Sequence, residues 1–146
     1  MGSFAKYIGG SPTNIACGTA RLGLKSGLIT RVGDEHMGRF IREQLVREGV
    51  DVRGVATDPE RLTALVILGI RDEDSFPLIF YRENCADMAL CEDDIDEGLI
   101  AETRSVLATG THLSNPRTEA AVIRALDLAR KHGCLLYTSP SPRDKR

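Results

Sequence analysis

Gly9-Gly10-Ser11-Pro12-Thr13-Asn14-Ile15-Ala16 decides how the rest of this chain reads. Two glycines lead into a Ser-Pro helix start, and an asparagine follows inside the first turn. With no Cβ at Gly9 or Gly10, a ligand can approach the backbone closely. Ser11 is expected to cap the helix and Pro12 to take its first position, where a missing N–H costs nothing. The unpaired amides of that first turn and the Asn14 side chain then face one polar guest, an arrangement suited to a polyhydroxylated small molecule. Gly9, Gly10 and Asn14 are therefore candidate substrate contacts; the plainer reading is a tight turn entering a helix.

Outward from this point the chain alternates helix and strand. The helix spans 12–22 with Gly23 as its stop, and an apolar strand at 28–32 closes at Gly33. Residues 37–48 form an amphipathic helix with Met37, Phe40, Ile41 and Leu45 on one face, ending at Gly49. Asp34 is assigned to capping this helix, and Arg31, at a strand end, is left without a role. A strand follows at 50–57, then an Asp58-Pro59 turn. Two further strands, 63–70 and 78–82, are joined by the polar segment 71–77 and read as a hairpin. This excursion, about 61–84, interrupts the βαβ rhythm and has the place of a lid or subdomain. The rhythm resumes with a helix capped by Asp93 or Asp94, a strand at 105–111, and a helix opened by Asn115-Pro116. Val122, Ala125, Leu126 and Ala129 form the expected buried face of that last helix, and Gly133 ends it. The sum is an α/β fold with a doubly wound sheet, helices on both faces and a small β-sheet lid.

Composition narrows the function. The 146 residues are 42% hydrophobic and 27% charged, enough for one modest core. Lys and Arg number 19 against 21 Asp and Glu, a net charge of −2, so nothing marks a nucleic-acid or membrane partner. No apolar run is long enough to span a bilayer, and Met1-Gly2-Ser3-Phe4 lacks the regions of a signal peptide, which makes a cytoplasmic setting the expectation. Cys17, Cys85, Cys91 and Cys134 form no C-x-x-C pair and read as free structural thiols. The acidic run around Glu92-Asp93-Asp94 lacks the glycine and distal glutamate of a calcium loop and reads as a solvated helix start. His36, His112 and His132 are scattered and read as structural or exposed, and no metal site is expected.

Several spaced motifs go together. Gly9-Gly10, Pro12, Asn14, Ala16, Gly23 and Gly33, followed by Val32-Gly33-Asp34 with Gly38, resemble the N-terminal signature of the PfkB (ribokinase-like) carbohydrate kinases. Phe80-Tyr81-Arg82-Glu83-Asn84-Cys85-Ala86-Asp87 is similar to the Tyr-Arg segment of members that phosphorylate keto-deoxy sugar acids. The resemblance runs from about Phe4 to about Gly133. It implies a ribokinase-like fold and a lid over the sugar that can also pair two subunits as a homodimer. It also implies transfer of the γ-phosphoryl group of ATP, with Mg²⁺, to a sugar hydroxyl. Tyr81 and Arg82 then join the substrate contacts, Arg82 holding a small-molecule sugar acid by two parallel hydrogen bonds. Neighbouring strand residues face opposite sides, so the two need not contact the sugar equally.

The family's base is an aspartate in a Gly-Ala-Gly-Asp motif that this sequence does not contain, so no catalytic residue is assigned. Members carry a first strand ahead of the glycine pair, whereas residues 1–8 alone precede it here, so Met1 is expected to be an internal methionine. The segment 134–146 breaks the rhythm where the next strand is due. It resembles translated sequencing-adapter read-through, with a natural flexible tail as the alternative. The expectation is a fragment truncated at both ends, carrying sugar-binding and lid parts of a parent kinase and inactive by itself. The alternatives are another ribokinase-like sugar kinase, including one for 2-keto-3-deoxygluconate, and a non-catalytic sugar-binding or pairing module. A dinucleotide-dependent oxidoreductase is disfavoured, because no G-x-G-x-x-G fingerprint is present.

Overall fold

The computed structural model describes residues 3–138. Helix α1 runs Ser11–Arg21 and begins one residue before its expected start. The Asn14 amide donates to the Gly10 carbonyl at 2.9 Å, so Gly10 is the capping residue rather than Ser11. Gly10 sits at φ 92°, a conformation that favours glycine. Pro12 still lies in the first turn, where amides have no helical partner.

The first α/β unit follows. Strand β1 (Thr30–Gly33) pairs in parallel with β2 (Val55–Asp58), from Thr30 opposite Val55 to Gly33 opposite Asp58. Helix α2 (His36–Arg47) makes the crossover between them. Ala16 and Cys17 from α1, Leu45 from α2 and Leu28, Val32, Val50 and Val55 form one core. Leu45 is fully buried, and burying one leucine contributes about 1.5–3 kcal/mol. The cap of α2 is Glu35, not Asp34: its carboxylate accepts from the Met37 and Gly38 amides at 2.6 and 3.1 Å. Asp34 instead extends the ladder, its amide donating to the Asp58 carbonyl at 3.0 Å. The strand expected at 50–57 is confined to β2, because the chain turns at Val52, whose carbonyl accepts from the Val55 amide at 3.0 Å.

Strands β3 (Leu65–Leu68) and β4 (Leu78–Tyr81) form the antiparallel hairpin, with Leu65 opposite Tyr81 and Leu68 opposite Leu78. Both are shorter than the hydrophobic runs suggest. Leu65, Val66, Leu68 and all four residues of β4 are exposed, so among the described residues nothing covers this face of the hairpin.

A second α/β unit completes the fold. Helix α3 (Glu97–Ala101) is capped by Asp96, whose carboxylate accepts from the Gly98 and Leu99 amides. The expected helix start at Asp93 or Asp94 is instead a single turn, Glu92–Asp94, in which Asp94 accepts from the Cys91 amide at 2.9 Å. Strand β5 (Ser105–Ala108) ends before a short turn, Gly110–Ser114. Helix α4 (Pro116–Lys131) has Asn115 as its cap, as the sequence reading expects. Its buried face is Thr118, Ala121, Leu128 and Ala129 with Ala125 packed beside them; Val122 and Leu126 are half-buried at its margin. The spacing of 118, 121, 125 and 128–129 is equally helical, and the completely buried Thr118 hydroxyl, unreadable as core by polarity, sets the rotation.

Strand β6 (Leu135–Thr138) pairs in parallel with β5, Ser105 opposite Leu135 and Ala108 opposite Thr138. Past the boundary read at Gly133, the backbone through Thr138 completes a βαβ unit, and Leu136 and Cys134 pack on the second core with Leu90, Ile95 and Ile100. The remainder of the expected tail, 139–146, lies outside the described residues. Ile29, from the approach to β1, also packs on that second core and joins the two units. Among the described residues no helix is long and apolar enough to cross a membrane.

Candidate functional site

In a wound α/β fold, ligands collect beyond the carboxyl ends of the parallel strands. Three of those ends are Gly33, Asp58 and Ala108, and each leads into a polar cluster.

The first cluster fastens the root of the hairpin to the α/β unit. Glu35, besides capping α2, accepts from the Thr63 amide at 3.2 Å and from the Thr63 hydroxyl. The same hydroxyl accepts from the Gly33 amide at 3.0 Å. Burial raises the Glu35 pKa, but the hydrogen bonds from Thr63, Met37 and Gly38 outweigh it and leave the carboxyl below its ordinary value. Gly33 and Gly38 are required by this packing. A Cβ on Gly33 would lie 2.5 Å from the Arg61 carbonyl, and one on Gly38 would lie 2.0 Å from the Gly33 carbonyl.

The second cluster centres on Asp58, 2% exposed. Its carboxylate accepts from the Glu60 and Arg61 amides at 3.0 Å, pairs with the Arg61 guanidinium at 3.2 Å, and lies 3.8 Å from Arg31. Arg61 also reaches Asn84 at 3.2 Å, on the far side of the hairpin, and the Ala86 amide donates to the Leu62 carbonyl at 2.9 Å. Arg31, unassigned from the sequence, ties β1 to the segment after the hairpin through the Ala89 carbonyl at 2.9 Å and Asp94 at 3.6 Å. For Asp58 too, burial acts upward, while the amide and Arg61 hydrogen bonds and the Arg31 charge bring the net pKa below the ordinary value. Carboxylates lowered on folding contribute stability that is fully present above the unfolded pKa and lost as pH falls through the folded one. The urea midpoint is therefore expected to be level from neutrality to about pH 5 and to fall below about pH 4, with a shallower fall in Asp58→Asn. An acid limb of equal slope in the variant would contradict this assignment.

The third cluster lies around Arg82. The residue follows β4 and turns inward, its Nε donating to Asp87 Oδ2 at 2.6 Å, while Tyr81 is 55% exposed. That ion pair engages Nε, and among the described residues no hydrogen bond engages the two terminal nitrogens, which suits them to a planar, bidentate contact. His112, in the turn after β5, lies within electrostatic reach: burial pushes its pKa down, the Arg82 charge acts the same way, and Asp87 opposes them. The Thr118 hydroxyl donates to the His112 carbonyl and anchors that turn to α4.

The sequence-derived contacts do not all line one hollow. Gly9 and Gly10 are exposed at the start of α1, where an added Cβ would meet nothing within 4 Å. Asn14 lines a hollow of about 310 Å³ with Ile8, Cys17, Gly18, Arg21 and Glu48. Neither Tyr81 nor Arg82 is in that lining; they belong to the hairpin root. Sequence reasoning placed Asp87 in the Tyr-Arg segment without a substrate role and missed His112, although the position of His112 just past the end of a parallel strand was the available signal.

A nucleotide and Mg²⁺ find no matching residues here. The sequence has neither a Gly-Lys-Ser/Thr phosphate loop nor Gly-Ala-Gly-Asp, and among the described residues no three His, Cys, Asp or Glu side chains are grouped to hold a metal ion.

The whole chain, residues 1–146, matches the pfkB family of carbohydrate kinases, and the chain belongs to that family. A 5-dehydro-2-deoxygluconokinase of Geobacillus kaustophilus is 44% identical over 135 residues, covering 92% of this chain and 40% of that protein. Among solved structures, a PfkB protein from Polaromonas sp. JS666 superposes with a TM-score of 0.88 at 31% identity, over 97% of this chain and 49% of that one. A sugar kinase from Pyrococcus horikoshii, solved in complex with ATP, gives 0.82 at 29% identity over 92% and 44%. The fold is therefore ribokinase-like, and the chain spans about 40% of the length of the curated relatives it matches.

Proposed function

We propose that the complete protein transfers a phosphoryl group from ATP, with Mg²⁺ offsetting phosphate charge, to a keto-deoxy sugar acid of the 5-dehydro-2-deoxygluconate type, in inositol catabolism in the cytoplasm. The residues described here take the sugar-binding and lid roles. Gly9, Gly10 and Asn14 face sugar hydroxyls, Tyr81 flanks them, and Arg82 binds the carboxylate. The base and the nucleotide contacts lie on sequence this chain does not contain. The observation that carries the reading is the Arg82 guanidinium, turned inward and held through Nε by Asp87, with no hydrogen bond to its terminal nitrogens among the described residues. The 44% identity to a 5-dehydro-2-deoxygluconokinase supports the substrate class, and the ATP complex of the P. horikoshii neighbour supports the phosphoryl donor.

The exposed hairpin residues Ile79 and Phe80, 54% and 65% exposed, support pairing of two lids in a homodimer.

Expression of the uninterrupted reading frame tests both parts. ATP-dependent phosphorylation of 5-dehydro-2-deoxygluconate is expected to exceed that of 2-keto-3-deoxygluconate, fructose and ribose, with sedimentation as a dimer that Phe80→Asp dissociates. Preference for a neutral sugar would remove the acid assignment. Sugar-acid binding without turnover would replace the kinase by a binding module, and a monomeric parent would remove the lid pairing.

A further inference from the structure

Two buried polar atoms near Arg82 lack a hydrogen-bond partner among the described residues: Asp87 Oδ1 and His112 Nε2. Such atoms are uncommon in folded proteins, and each one asks for an explanation. Here they are neighbours in one electrostatic environment. Asp87 lies in the short turn Ala86–Ala89 and His112 in the turn Gly110–Ser114, and both turns pack against α4. Asp87 is fixed by its other oxygen, which holds Arg82 at 2.6 Å. His112 is fixed by its own carbonyl, which accepts from the fully buried Thr118 hydroxyl. Asp87 is thus anchored through its other side-chain oxygen and His112 through its backbone, while one side-chain atom of each remains unsatisfied.

The two atoms have complementary chemistry. A carboxylate oxygen can only accept, and a neutral imidazole carries one N–H to donate. Arg82 adds a pair of donors beside them. A simple anion would satisfy Arg82 and be repelled by Asp87. A ligand with a carboxylate and a nearby hydroxyl or keto oxygen satisfies all of them at once.

We propose that Asp87 and His112 determine specificity at the acid end of the substrate: with its carboxylate on Arg82, Asp87 Oδ1 accepts one of its hydroxyls and His112 Nε2 donates to a further oxygen. This inference rests on the sugar-acid reading above and extends it to His112, outside the sequence motifs, and to Asp87, the last residue of the Tyr-Arg segment.

The test is kinetic and calorimetric, on the complete protein. In His112→Ala the KM for 5-dehydro-2-deoxygluconate is expected to rise about 10- to 100-fold, the range of one lost hydrogen bond to a charged or strongly polar group. The KM for ATP and the thermal midpoint remain at their wild-type values. His112→Gln, whose amide nitrogen can stand near the position of Nε2, recovers most of the loss. Calorimetric titration with the same sugar acid, without ATP, follows the same order. An unchanged sugar KM in His112→Ala overturns the inference. So does a thermal midpoint that falls in both variants in step with activity, because that marks a structural histidine. If Arg82→Ala is kinetically silent as well, or the wild type accepts no sugar acid, the underlying reading fails and takes this one with it. A strong Arg82 effect beside a silent His112→Ala removes this inference alone.

Discussion

Gly38→Ala is expected to cost the fold at least about 3 kcal/mol, at the upper end of what an added methyl costs in a packed interior. The new Cβ would stand 2.0 Å from the Gly33 carbonyl oxygen, 3.1 Å from its carbon and 3.2 Å from the Thr63 hydroxyl. Two of those atoms are backbone, so no rotamer change relieves the collision. Gly33 is itself held against the Arg61 carbonyl and the Thr63 amide, so it cannot retreat without lifting the hairpin root. Urea denaturation followed by circular dichroism measures the effect. Gly18→Ala in α1, where an added Cβ meets nothing within 4 Å, is the control and should be neutral or slightly stabilising. Equal midpoints for Gly38→Ala and the wild type would show that the junction of α2 and the hairpin is not closely packed.

Arg82→Ala in the complete protein is expected to lower kcat/KM for sugar acids about 100- to 1,000-fold, because a bidentate pair combines two charge-assisted hydrogen bonds. Neutral sugars should lose far less. The comparison matters because the substitution also leaves Asp87, with 17% of its side chain exposed, without its guanidinium partner. Any general damage from that unpaired carboxylate reduces both substrate classes alike, whereas loss of carboxylate recognition separates them. Arg82→Lys should restore little, since an ammonium cannot form two parallel bonds with one carboxylate while holding Asp87. Parallel losses on acidic and neutral sugars would make Arg82 a structural arginine of the hairpin root.

Much of the architecture was legible because it depends on local chemistry. The alternation of strand and helix, the hairpin excursion and the stops at Gly23, Gly49 and Gly133 follow from periodicity and from glycine's access to positive φ, which all three adopt. Capping was less legible. Asp34 and Glu35 are adjacent acids before the same helix, and sequence alone favours the shorter one. Thr63, 28 positions away from Glu35, gives that carboxylate additional donors and turns it into the cap. The buried face of α4 was legible only in part, through Ala125 and Ala129, for a related reason. Thr118 is polar in isolation and fully buried once its hydroxyl finds the His112 and Asn115 carbonyls.

The sequence by itself determined the wound α/β class, the hairpin excursion and the family, because motif glycines and hydrophobic periods record constraints that act within a few residues of each other. Tertiary structure alone decided that Asn14 lines a hollow that Arg82 does not, that Leu135–Thr138 is a strand, and that His112 lies near Arg82 and Asp87. Those relations join segments distant along the chain. Strand pairing and the packing of two turns on α4 create them, and no local pattern encodes which distant polar atom will be left without a partner.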